Sequence, residues 1–175
     1  MSKNSETAFR GSRNQMNQKT TSVLFCGTGG QGVLKASEVL GVAAMLSGSR
    51  VKKSEVHGMA QRGGSVESHL IFGDTVYSPL IVPGEADFLV CFEANEGKRL
   101  AHFLKSDGVS LLPWLDEAEK LPDARFINTY LLGVLSSMLA IGEEHWLAAI
   151  ETVVAKKIEE NRRIFALGAM RGKTI

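Results

Sequence analysis

Cysteine is nearly absent from this chain of 175 residues: there are two, Cys26 and Cys91. Each sits inside an apolar run, which fits a core thiol in a reducing compartment and leaves no disulfide framework and no cysteine-rich metal or iron–sulfur cluster. No two of the four histidines have metal-ligand spacing, so no metal site is expected. No apolar run is long enough to span a membrane, and residues 1–20 lack the apolar core of a secretory signal. That segment reads as a disordered N-terminal arm, or in part as vector-derived sequence before a second start at Met16. The net charge is +1, so the chain as a whole favours neither nucleic acid nor a membrane surface. Internal repeats, a G-x-x-x-x-G-K-[ST] phosphate loop and a locally supported Ser/His/Asp arrangement are also missing. These absences leave a cytoplasmic protein with one domain, residues 21–175, long enough to bury a real core.

Apolar spacing places the elements. "SVLFC" (Ser22–Cys26) is a short β-rich run that ends in glycine, as a buried parallel strand does. "VLKASEVLGVAAMLSG" has helical spacing, with Val33, Ala36, Val39, Leu40, Ala43 and Leu46 as its apolar stripe and Gly48 as its stop. "RVKKSEV" is a second, more polar strand. In "SVESHLIFG", Val66, Ser68, Leu70 and Phe72 share a face, and Gly73-Asp74 predicts a turn into a hairpin partner, "TVYS". "ADFLVCFE" (Ala86–Glu93) is another buried strand, "ANEGKRLAHFL" a helix and "GVSLL" a strand, while Pro113 and Pro122 bracket a polar connector. "NTYLLGVLSSMLAIG" is apolar nearly all round and reads as a buried helix. Amphipathic helices follow in "EEHWLAAIETVVA" and "KKIEENRRIFALG", the last closed by Gly168. The alternation predicts an α/β fold: a Rossmann-like open, mostly parallel sheet with helices on both faces and a central β-hairpin.

Two stretches carry chemistry. In the first, Gly27, Gly29 and Gly32 fit G-x-G-x-x-G between a strand and a helix, with Thr28, Gly30 and Gln31 between them. Glycines let a ligand approach the backbone, and the helix start offers unpaired N–H groups to a phosphate. The same glycines also suit tight helix–sheet packing or contact with another protein. An NAD site wants an acid at the end of the next strand. Here Arg50, Lys52 and Lys53 stand there instead, with no acid until Glu55, which leaves NADP or another phosphorylated ligand open.

The second stretch, "EVHGMAQRGGSVESH", is too polar for a buried strand and has no apolar helix face. His57, Gly58, Met59, Gln61, Arg62, Gly63, Gly64 and Ser65 form a loop at a strand end, where open α/β sheets hold ligands. Arg62 suits a carboxylate or phosphate clamp and His57 a hydrogen-bond donor or proton shuttle, against the blander role of shaping the loop. His69 reads as structural, and His102 and His145 as surface residues. Cys26 and Cys91 read as inert core residues, and Glu93 as a helix-start acid.

Together, "GTGGQGV", "SEVHGMAQRGGSVESHLIFGD" and "VYSPLIVPGEAD" closely resemble the gamma-type subunit or domain of the 2-oxoacid:ferredoxin oxidoreductases. The "HGMAQRGGSV" wording is most similar to the beta subunit of the indolepyruvate branch, and the resemblance runs from about Val23 to Gly168. It implies a large partner subunit that binds thiamine diphosphate, carries iron–sulfur clusters, decarboxylates a 2-oxoacid, passes electrons to ferredoxin and yields an acyl-CoA. For this branch the 2-oxoacids are arylpyruvates. The chain itself would bind no cofactor tightly, would help hold coenzyme A, would be inactive alone and would self-associate through the surface meant for its partner. It would contribute residues 27–32 and 57–65 to the shared site, with Arg62 and His57 as its candidate catalytic groups. A free-standing NADP- or nucleotide-binding oxidoreductase is the alternative. The chain departs from the resemblance in one place: between Leu112 and Asn128 it is shorter than such subunits often are.

Overall fold

Runs such as "SVLFC" and "ADFLVC" belong in the middle of a sheet covered on both faces. The computed structural model, which describes residues 20–58 and 63–174, places them there. With elements numbered along the chain, β1 (Thr20–Thr28) and β4 (Ala86–Cys91) pair in parallel, Val23 opposite Phe88 and Cys26 opposite Cys91. β5 (Leu104–Ser110) lies parallel to β4 at one edge. On the other side, β3 (Ser65–Gly73) runs antiparallel to β1, and β2 (Arg50–His57) runs antiparallel to β3. The order is therefore β2-β3-β1-β4-β5, with four strands pointing one way and β3 against them.

Alternate residues of β1 sort into two cores. Val23 and Phe25 join a large one with Val90, Leu40, Tyr130, Leu131, Trp146 and Phe165. It is built by α1 (Val33–Leu46), α3 (Leu112–Ala118), α4 (Ile127–Ser136), α5 (Glu143–Val153) and α6 (Ile158–Gly172). Leu24 and Cys26 face a smaller core with Ile81, Leu89, Cys91 and Leu100. Among the described residues, α2 (Ala94–Leu100), a 3-10 turn (Ala101–Phe103) and the segment around Ile81 cover that face, with Leu112 at its margin. Burying each of the larger aliphatic side chains contributes about 1.5–3 kcal/mol, so the first face carries most of the stability.

Gly48 ends α1 as expected: at φ +93° it is left-handed, and the amides of Gly48 and Ser49 reach back to the carbonyls of Met45 and Ala44. Leu46, the last residue of α1, departs from its predicted stripe and is 49% exposed. Buried hydroxyls tie α1 to β3, Ser68 Oγ donating to Ser37 Oγ at 2.9 Å.

Four expectations need correction. The hairpin is not at Gly73-Asp74: Thr75–Ser78 form no strand, and the chain leaves the sheet so that Ile81 can enter the smaller core. The antiparallel pair of consecutive strands is β2–β3, from Arg50 opposite Gly73 to His57 opposite Val66. The Pro113–Pro122 connector holds a helix, α3 (Leu112–Ala118), with Pro113 in its first turn, where no amide donor is needed, and with Leu115 and Ala118 buried. The strand read in "GVSLL" starts earlier, at Leu104, and ends at Ser110. Gly168 does not close the last helix, which continues to Gly172. The expected arm lies outside the described residues except for Thr20, which already belongs to β1.

Gly168 is small for another reason. A Cβ there would overlap the Tyr130 carbonyl oxygen, and one on Gly133 would overlap the Phe165 carbonyl, so α4 and α6 cross backbone against backbone. Thr129 Oγ1 donates to Asn161 Oδ1 at 2.6 Å across the same seam, and both residues are buried. Gly168→Ala should therefore destabilise by about 1–3 kcal/mol, despite the roughly 1 kcal/mol that alanine gains in an open helix. Chemical denaturation checks this, and a stabilised variant would contradict the crossing.

Candidate functional site

The carboxyl ends of β1, β2 and β4 share one edge of the sheet, and the glycine-rich turn sits at its centre. β1 ends at Thr28, and Gly29 and Gly30 turn the chain. The Gln31 side chain folds back so that its Oε1 accepts from the Thr28 amide at 2.8 Å. Gly32 is the N-cap of α1 at φ +80°, where a Cβ would both strain the backbone and approach Asn128 Nδ2 at 2.5 Å. No side chain caps α1, and its first turn has no acid. The positive end of the helix is thus open to an anion.

The structure brings the second stretch to the same place. His57 pairs with Val66, which pairs with Gly27, so His57 stands level with the glycine turn, two strands away. The hairpin neck closes with the Gly58 amide donating to the Ser65 carbonyl at 2.6 Å. The Gly29 amide donates to the Gly64 carbonyl at 3.0 Å, a direct bond between the two loops. Met59, Gln61 and Arg62 lie outside the described residues.

Clefts open around this edge. One of about 290 Å³ is lined by Gly30, Gly32, Phe92, Arg125, Ile127 and Asn128. Another, of about 470 Å³, is lined by Gly29, Lys35, Glu38, His57 and Val66. A third of about 320 Å³ shares Arg125 and Asn128 with the first and Lys35 with the second, and Lys156 and Lys157 stand on its rim. Asp123 holds Arg125 at 2.6 Å, and those hydrogen bonds hold the Asp123 carboxyl down to about 2. The edge therefore combines glycine backbone, apolar wall and several cations, an arrangement suited to an extended organic anion. Sequence spacing missed Lys35, Phe92, Arg125 and Asn128. Lys35 alone had a signal, since it lies in the first turn after the glycines.

Other predicted residues fall elsewhere. Arg50 pairs with Gly73, and Gly73 with Thr20, so Arg50 lies at the far end of the sheet, about 26 Å along β1 from Thr28. Lys52 and Lys53 also sit toward that end. The cations that kept NADP open therefore cannot meet a phosphate at the glycine turn, because they occupy the amino-terminal part of β2 whereas the turn follows the carboxyl end of β1. His69 is buried and structural, its Nδ1 accepting from the Ile81 amide at 3.1 Å. His102 is exposed and His145 half-buried. Glu93 caps α2, its Oε2 accepting from the Glu96 amide at 2.7 Å. Among the described residues, no three His, Cys, Asp or Glu side chains converge as metal ligands, and no helix is long and apolar enough to cross a membrane.

An open α/β sheet with a glycine turn and clefts at its carboxyl edge defines a Rossmann-like α/β domain. A family model described as pyruvate ferredoxin/flavodoxin oxidoreductase matches residues 22–122, and the chain belongs to that family. Among its relatives is the indolepyruvate oxidoreductase subunit IorB of Thermococcus kodakarensis, 32% identical over 89% of this chain and 97% of the relative. That match spans 196 positions, whereas 89% of 175 residues is about 156, so the relative alone fills about 40 of them. The gamma subunit of a keto/oxoacid ferredoxin oxidoreductase from Geobacter sulfurreducens shares the fold, with a TM-score of 0.73 at 22% identity, covering 89% of this chain and 99% of that one. The 2-oxoglutarate:ferredoxin oxidoreductase of Magnetococcus marinus, solved with 2-oxoglutarate, coenzyme A and succinyl-CoA bound, contains the same fold as part of a longer chain. Its TM-score is 0.75 at 16% identity, covering 90% of this chain and 32% of that one.

The two thiols sit beneath this edge without joining it. Both are buried and unpaired; burial pushes the Cys26 thiol well above its ordinary range and the Cys91 thiol up to about 11. At pH 8 a thiol at that value is thiolate in about one molecule per thousand, against roughly a quarter for a free cysteine. A disulfide reagent at pH 8 should therefore label neither cysteine of the native chain within minutes and both once denaturant is added. Rapid labelling of one equivalent in the native chain would contradict this placement.

Proposed function

We propose that this chain is the accessory, beta- or gamma-type subunit of a cytoplasmic arylpyruvate:ferredoxin oxidoreductase. The complex would oxidatively decarboxylate indolepyruvate and related 2-oxoacids to acyl-CoA, with ferredoxin as electron acceptor. The observation that carries the reading is the match to an indolepyruvate oxidoreductase subunit over nearly the full length of both chains. A large partner subunit would supply thiamine diphosphate, which provides the electron sink for decarboxylation, and iron–sulfur clusters for electron transfer.

This chain's own residues would bind and orient. Backbone amides of Gly30 and Gly32 and the open start of α1 would receive a phosphate of coenzyme A, with Lys35 and Arg125 on either side. Phe92 and Ile127 offer apolar wall along the same cleft. His57, level with the glycine turn, would face the partner's reacting centre, and Arg62, five residues further along the sequence, would clamp a carboxylate or phosphate.

Co-expression with the product of the neighbouring reading frame tests the reading. Indolepyruvate- or phenylpyruvate-dependent reduction of ferredoxin or viologen, with coenzyme A, should need both chains; full activity of the neighbour alone would contradict it. Within the active complex, Lys35→Ala should raise the KM for coenzyme A about fivefold and leave kcat within twofold. A partly exposed charge contact contributes about 1 kcal/mol. An unchanged KM would remove Lys35 from the site.

A further inference from the structure

The loops at the carboxyl edge are fastened from the opposite face of the sheet, the one covered by α2. Arg99, in the last turn of α2, gathers oxygens from two elements. Its Nη2 donates to Glu67 Oε1 at 2.6 Å, to Glu96 Oε2 at 2.7 Å and to Ser65 Oγ at 2.8 Å. Nε donates to Glu96 Oε2 at 3.1 Å, and Ser65 Oγ donates to that oxygen at 2.6 Å. The carboxylates are mostly covered, Glu67 at 13% exposure and Glu96 at 16%, while Arg99 is 47% exposed. The Arg99 hydrogen bonds hold the Glu96 carboxyl below its ordinary range. One guanidinium therefore neutralises two neighbouring carboxylates that would otherwise repel each other.

Ser65 is the first residue of β3. Its carbonyl closes the hairpin neck on Gly58, and the carbonyl just before it, on Gly64, receives the Gly29 amide. A connected path runs from Arg99 through Ser65 and Gly64 to the glycine turn. We propose that Arg99 is a positioning residue for the ligand site at the carboxyl edge: by gathering Ser65, Glu67 and Glu96 it sets where the hairpin neck and the glycine turn stand relative to each other. That a ligand occupies the edge rests on the function proposed above, whereas the clamp itself does not.

Amide exchange by NMR on the full chain tests the clamp directly. In Arg99→Ala the amides of Gly29 and Gly58 should exchange about tenfold faster, with Leu24, Phe25 and the α4 amides as protected as before. Arg99→Lys keeps the charge without the fork and should restore part of the protection. In the assembled complex, Arg99→Ala should raise the KM for coenzyme A about tenfold while kcat falls less than threefold, with Arg99→Lys between it and the wild type. Unchanged exchange at Gly29 and Gly58 overturns the proposal. Uniform loosening of β1 and α4 overturns it too, since that marks general destabilisation. Faster exchange with an unchanged KM overturns the positioning role and leaves the accessory-subunit reading standing. Wild-type activity that does not need this chain overturns that reading and the positioning role with it, while the exchange rates alone still decide whether the clamp exists.

Discussion

Everything at the carboxyl edge depends on β3 running against its neighbours. Antiparallel strands can be joined by a short turn, whereas parallel ones need a long crossover. Because β2 and β3 form a hairpin, the chain leaves His57 and re-enters the sheet at Ser65 on the same edge. Because β3 then lies on β1, Ser65 arrives opposite Thr28, beside the glycine turn. The Gly29–Gly64 bond is the local result of that register. A slip of one residue would send Glu67 and His69 into the large core and turn Val66 and Ser68 toward α2.

The two faces of the sheet are unequal, and the inequality matters. Five helices bury the large core, whereas one seven-residue helix, a 3-10 turn and a loop, with Leu112 of α3 at the margin, cover the other side. A cluster of two carboxylates and a guanidinium would be costly at the centre of the large core, where desolvation outweighs attraction. On the thin face, Arg99 keeps about half its side-chain surface in water while both carboxylates are mostly covered. The partial exposure lowers the desolvation cost, and the low local dielectric around the carboxylates still gives the contacts strength. Beneath the cluster, Cys26 and Cys91 fill the apolar end of the same layer.

Much of this was legible in the chain. β1, α1 with its Gly48 stop, β4, the buried α4 and Glu93 as the cap of α2 all followed from local spacing and end signals. What failed had non-local causes. "TVYS" has strand composition, but its neighbour Ile81 is claimed by the small core and by His69, which no local pattern reveals. Gly168 looked like a helix end because glycine usually is one; only the path of α4 shows that it is a crossing point. The basic residues of β2 seemed to border the glycine turn because the end of the strand is expected near Lys53; the strand runs on to His57, which leaves Arg50, Lys52 and Lys53 in its amino-terminal half. The cleft cations Lys35 and Arg125 come from elements ninety residues apart, so their convergence is a product of the fold alone.

The function proposed above puts the edge carrying the glycine turn, His57 and the hairpin neck against a ligand and the partner's reacting centre. A structure of the co-purified complex with a 2-oxoacid and coenzyme A tests it most directly. Ligand density is expected within contact distance of Gly30, Gly32 and Lys35, with His57 turned toward the partner subunit. Finding that edge in open solvent, with the partner docked elsewhere and the ligand held wholly by the larger chain, would contradict it.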